Sequence, residues 1–162
     1  MSNQATSEPV SKRLGSRHHV ILTVSDLDRS TEWYCRVFGL TVVSTHLNVG
    51  PPYLHDNKYN GLFDLATLSY VLGLTEHANP LASTFDERHV GLDHFGLEVP
   101  DMAGLYEWGR HLDALGIEHS GVVTAPYITV VNFRDPDNIA IELCVINEEF
   151  FVPLITSVLA GT

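Results

Sequence analysis

Positive charge is what this chain has least of. Nine Lys and Arg stand against twenty Asp and Glu, a formal charge of −11 at neutral pH. A surface of that sign repels a phosphate backbone, so no nucleic-acid partner is expected. Cysteine is scarce too. Cys35 and Cys144 have neither CxxC nor zinc-finger spacing, which predicts two free thiols in a reducing, cytoplasmic setting and no disulfide framework. No apolar run approaches the roughly 20 residues of a bilayer span, and the opening MSNQATSEPVSKRLGS lacks an apolar signal core. No membrane partner is expected, and residues 1–16 read as a disordered leader.

What is present is an internal repeat. Adding 75 carries His19 to His94, Leu22 to Leu97, Val24 to Val99, Asp26 to Asp101, Glu32 to Glu107 and Trp33 to Trp108. Beyond Trp33 the offset becomes 77, so Gly39 falls on Gly116 and the second helix is two residues longer. Each half reads as strand, helix and further strands. The first helix follows Ser25-Asp26 and stops at Phe38-Gly39; the second follows Pro100-Asp101 and stops at Leu115-Gly116, with Asp capping and Gly at the left-handed end. Leu105, Trp108, Leu112 and Leu115 share one helical face and are assigned to the core. β-rich runs follow at 41–45, 66–75, 122–133 and 139–146. Residues 48–65, rich in Gly, Pro, Asn and Tyr, read as a long loop whose Tyr53, His55, Tyr59 and Asn60 are candidates for a site's mouth. This divides the chain into a leader (1–16), a domain (17–146) of two modules (17–86 and 90–146), and a helical tail (147–162). The tail's apolar residues recur at helical spacing, as a lid or a dimer contact.

Strand alternation then singles out three residues. In the run from His19 to Val24 the even positions are aliphatic, so His19 projects to the opposite face with Ile21 and Thr23. His18 shares the Val20 and Leu22 side and is the rival of His19. Phe95, Leu97 and Val99 form a core stripe that sends His94, Gly96 and Glu98 the other way. Ile139, Ile141, Leu143 and Val145 do the same for Glu142. Two imidazoles and a carboxylate on such faces suit a divalent metal with open coordination positions. His46, His77, His89, His111 and His119 are expected at the surface, and Cys144, though on the face of Glu142, in the core.

The run HHVILTVSDLDRSTEWYCRVFGL, its echo GLDHFGLEVPDMAGLYEWGRHLDALGI and the closing FRDPDNIAIEL resemble the vicinal oxygen chelate superfamily. That group includes glyoxalase I, extradiol dioxygenases, fosfomycin-modifying thiol transferases and bleomycin-binding proteins. The resemblance covers residues 17–146. It implies an α+β fold of two βαβββ modules whose sheets form a cupped mixed sheet, with metal ligands at His19, His94 and Glu142. Glyoxalase I usually carries a further carboxylate on the last strand of module one, where this chain has Gly73. The extradiol Tyr position holds Asn132, and the fosfomycin pattern fails at Ile21 and for want of Lys or Arg after Arg134. The expectation is a dioxygenase-type enzyme for a small oxygen-chelating metabolite, with Fe(II) favoured over Mn, Ni or Zn. Glu98 and Asn132 are its candidate catalytic residues. The alternatives are a glyoxalase-type lyase or isomerase, and a protein that sequesters a drug or metabolite. A homodimer is expected, with His19 of one copy completing the site of the other as one version.

Overall fold

The computed structural model describes residues 19–43, 57–67, 69–79, 81 and 83–161. The first module runs β1 (Ile21–Thr23), α1 (Leu27–Phe38), β2 (Thr41–Val42), β3 (Lys58–Asp64) and β4 (Ser69–Glu76). The second runs β5 (Phe95–Glu98), α2 (Met102–Ala114), β6 (Val123–Thr124), β7 (Ile128–Arg134) and β8 (Ala140–Ile146), and α3 (Glu148–Ala160) follows. Local chemistry sets the helix ends. The Asp26 carboxylate accepts from Arg29 N at 3.0 Å and that of Asp101 from Gly104 N at 2.8 Å, satisfying donors a first helical turn leaves free. Gly39 and Gly116 close the helices at φ 67° and 68°, a left-handed conformation open to glycine at little cost.

Each module builds a four-stranded sheet, ordered β1-β4-β3-β2 and β5-β8-β7-β6. The repeat persists in the register. Ile21 lies beside Gly73 and Gly73 beside Gly61 in the first sheet, as Gly96 lies beside Glu142 and Glu142 beside Asn132 in the second. Gly73 is thus the counterpart of Glu142, as the sequence match implies.

One expectation fails. The stretch 48–65 is not all loop, because residues 58–64 form β3. Its pattern is hidden by Asn60, which occupies the helix-facing stripe with Leu62; Asn60 is buried, and its amide Nδ2 donates to Thr31 Oγ1 on α1 at 2.9 Å. Asn60 therefore faces the core and not a site's mouth. His18, His46, Tyr53 and His55 lie outside the described residues.

The core lies between the helices and one face of each sheet. Leu27, Tyr34 and Val37 of α1 join Leu62, Leu72 and Leu74, while Leu105 and Leu112 of α2 join Val131, Ile141 and Leu143. The modules meet through these helices. Phe38 packs on Trp108 with centroids 5.6 Å apart, Trp33 on Phe133 at 6.2 Å, and His111 Nε2 donates to Val37 O at 2.9 Å. The Asp135-Pro136-Asp137 turn adds a polar clasp. Asp135, buried, accepts from the Tyr34 hydroxyl at 3.0 Å, and Asp137 accepts from Ser25 N at 3.0 Å and Arg29 Nη2 at 2.7 Å. Burial raises the Asp135 carboxyl above its usual range, against the opposing pull of its donors Ile139 N, Tyr34 and Asp137 N. At Asp137 burial also pushes upward, but the Ser25 and Arg29 bonds outweigh it and the carboxyl is lowered. Among the described residues the modules of one chain are thus joined on their helix sides.

Candidate metal centre

The second sheet assembles the site on the face away from α2. β5 is parallel to β8, with Gly96 beside Glu142 and Glu98 beside Cys144. β7 runs antiparallel on the other side, with Asn132 beside Glu142. His94 lies two residues before Gly96 and shares its face. Glu142, central in this row, keeps 17 % of its side chain exposed, and His94 Nε2 stands 4.0 Å from Glu142 Oε1. A Cβ added at Gly96 would touch Glu142 Oε1 at 3.7 Å, so glycine keeps the flank of the carboxylate clear.

Asp93, a residue the sequence reading passed over, supplies the polar support. Its Oδ1 accepts from His94 Nδ1 at 2.7 Å. In a neutral imidazole that bond makes Nδ1 the donor and leaves Nε2, turned towards Glu142, as the atom a metal could take, an arrangement typical of metal-binding histidines. The only signal for it in the sequence is its place directly before His94.

Of the five residues singled out, four share this face. His94 and Glu142 form the close pair, Asn132 flanks Glu142, and Glu98 lies beyond it, exposed. Glu98 also lines a cavity of about 610 Å³ with Val99, Met102, Thr129 and Glu148. The backbone of Asn132 is held by Ser120, whose Oγ accepts from Asn132 N at 2.9 Å and whose N donates to Asn132 O at 2.8 Å. The fifth, His19, is exposed just ahead of β1 in the other sheet. Among the described residues of one chain, no three His, Cys, Asp or Glu gather closely enough to hold a metal ion, so His19 does not join His94 and Glu142 there. The pair fits two cis positions on a metal, since a neutral imidazole and a carboxylate are suitable donors and 4.0 Å is within small side-chain adjustment of a shared ion. Two donors make half a site.

The other histidines divide. His77 is exposed, its Nε2 3.4 Å from Thr23 Oγ1. His119 departs from the surface expectation, with a side chain only 12 % exposed whose Nε2 lies 3.2 Å from Asp113 Oδ1 and whose Nδ1 accepts from Gly121 N. Cys144 is buried, with Sγ 3.6 Å from Leu97 O. No helix among the described residues is long and apolar enough to cross a membrane.

Comparison with known proteins gives a consistent picture. The family model "Glyoxalase/Bleomycin resistance protein/Dioxygenase superfamily" matches residues 16–143. A lactoylglutathione lyase of Arabidopsis thaliana is 29 % identical over 77 % of this chain and 42 % of its own length. A putative ring-cleaving dioxygenase of Bacillus subtilis is 23 % identical over 73 % of this chain and 36 % of its own length. The chain therefore spans less than half of either curated relative. The crystal structure of a glyoxylase/bleomycin resistance protein/dioxygenase domain from Frankia sp. EAN1pec superposes with TM-score 0.69 at 30 % identity, covering 83 % of this chain and 100 % of that one.

Proposed function

Because the chain belongs to the Glyoxalase/Bleomycin resistance protein/Dioxygenase superfamily, we propose that it is a divalent-metal enzyme for a small, oxygen-chelating metabolite. The ligands would be His94 and Glu142 of one copy with His19 of a second. The observation that carries this is the His94–Glu142 pair, 4.0 Å apart on an open sheet face with Asp93 behind the imidazole. A resident metal would supply Lewis acidity towards neighbouring substrate oxygens and, as Fe(II), redox reactivity towards O2. The protein's own work is positional. Asp93 orients His94, Glu142 provides the anionic donor, and Asn132, beside it, offers its amide to a substrate oxygen. Glycine at position 73, the counterpart of Glu142, cannot contribute a fourth side-chain ligand. The site is thus left open for a two-oxygen substrate, which favours dioxygenase-type chemistry. A glyoxalase-type lyase is the second reading, favoured by Glu98, an exposed carboxylate on the same face that is available as a base.

Metal analysis of protein purified without chelator decides the first point. One ion per site is expected, and Glu142→Ala should abolish it; full metal content in that variant would defeat the proposal. O2 uptake with catechols and α-hydroxycarbonyl compounds separates the two chemistries. Turnover undiminished under strict anaerobiosis, with Ni, Mn or Zn in place of iron, leaves the lyase standing.

A further inference from the structure

The segment that joins the modules is fastened twice to the β7–β8 hairpin before it reaches the candidate metal centre. Phe85 N donates to Asp137 O at 3.0 Å, and Asn138 Nδ2 donates to Phe85 O at 2.8 Å. Two residues on, Glu87 accepts from both prongs of Arg134, with Nη1 2.9 Å from Oε2 and Nη2 2.7 Å from Oε1, while Nη1 also donates to Asn138 O at 3.1 Å. Arg134 closes β7 two residues after Asn132, and so lies on the same face. It stands beside Ala140, as Asn132 stands beside Glu142. The pairing of Phe95 with Ile141 brings His94 level with Ala140. Arg134, Ala140 and His94 therefore continue one row across the three strands, next to the row of Asn132, Glu142 and Gly96. Two strand spacings of roughly 4.8 Å separate the backbones at the two ends of that row.

We propose that the Glu87–Arg134 pair is a positioning device for the candidate metal centre, holding residues 88–93 so that Asp93 and His94 arrive opposite Glu142. The role as a ligand support rests on the metal site proposed above. The ladder of β5 starts at Phe95, so His94 enters the site from the joining segment and not from within the strand. Whatever fixes that segment fixes the imidazole. Magnitude separates this role from plain stabilisation. The two side chains are 41 % and 37 % exposed, and an exposed ion pair adds little to stability, whereas a two-pronged guanidinium–carboxylate contact sets both distance and orientation. The Arg134 bond holds the Glu87 carboxyl down at about 2, so the contact stays ionised through neutral and moderately acid pH. Because Glu87 fills its fork, Arg134 is not free to take a substrate anion, although it lies on the face of the site.

Backbone amide relaxation by NMR and a Co(II) titration, both on the full chain, test this. In the metal-free wild type, amides 88–94 should be rigid, with order parameters of about 0.85, and Glu87→Ala or Arg134→Ala should lower them below about 0.6. Each variant should bind Co(II) about tenfold more weakly in competition with a chelator, the lower end of what supporting groups contribute. The double variant should be no weaker than either single one, since all three lose the same contact. The urea midpoint should stay at its wild-type value. Unchanged order parameters in either single variant, unchanged Co(II) affinity beside a mobile segment, additive losses in the double variant, or a loss of affinity matched by a loss of global stability would each overturn the proposal. A wild-type chain that binds no Co(II) would defeat the metal reading alone, and the relaxation data, taken without metal, would still decide whether the pair holds His94 in place.

Discussion

Asp93 and His94 show how much chemistry rests on neighbouring residues. The Nδ1–Oδ1 bond of 2.7 Å does not create a ligand but selects which ring nitrogen is free. Supporting bonds of this kind are worth roughly 10–100-fold in metal affinity. Asp93→Ala is therefore expected to weaken binding by about that factor in a competitive chelator titration, while leaving stoichiometry at saturation unchanged. Unaltered affinity would show that the imidazole is held by its surroundings alone. Alternation identified His94 because a strand's period of two is readable from its apolar partners. It could not identify Asp93, which precedes β5 and obeys no period.

Helices and strands divide the legible from the hidden. Both helix starts and stops could be read, since Asp and Gly act locally through backbone donors and a left-handed φ. β3 could not, because its inward stripe includes Asn60, whose buried Nδ2 finds its acceptor in Thr31 on another element. The joint between α1 and the β7–β8 turn was equally invisible, since Tyr34 and Asp135 are about a hundred residues apart. Burial raises the Tyr34 hydroxyl pKa, and the Asp135 charge raises it further, so the phenol remains the donor. Tyr34→Phe should cost about 1–3 kcal/mol in urea unfolding at pH 7 by leaving the buried carboxylate short of a donor. Asp135 has its folded pKa raised above the ordinary carboxylate value by burial. Its contribution is fully favourable below that value and lost as pH rises through the folded pKa. The variant's deficit should therefore be largest at neutral pH and narrow on acidification; a deficit constant with pH would place the effect in packing.

For the whole molecule the decisive fact is that the modules meet through their helices, which keeps His19 apart from His94 and Glu142 within one chain. A site shared between copies makes a distinct prediction. His19→Ala and Glu142→Ala chains, each metal-free alone, should recover about a quarter of the wild-type sites after mixing and subunit exchange, because half the dimers are mixed and each rebuilds one site. No recovery after demonstrated exchange would show that the ligands do not come from different copies.

The repeat, the two βαβββ modules, the helix caps and the residues on the faces of β5 and β8 turned away from α2 were determined by the sequence. Each is encoded in near-neighbour chemistry or in a period that survives twice along the chain. The tertiary structure alone decided which of those residues meet. It placed His94 and Glu142 together, since parallel pairing of β5 and β8 sets their register. It left His19 just ahead of β1, in the other module, and it left the apolar residues of α3 exposed. Such outcomes depend on how whole elements pack, an energy spread over Tyr34, Phe38, Trp108 and the Asp-Pro-Asp clasp, and no single period in the chain records it.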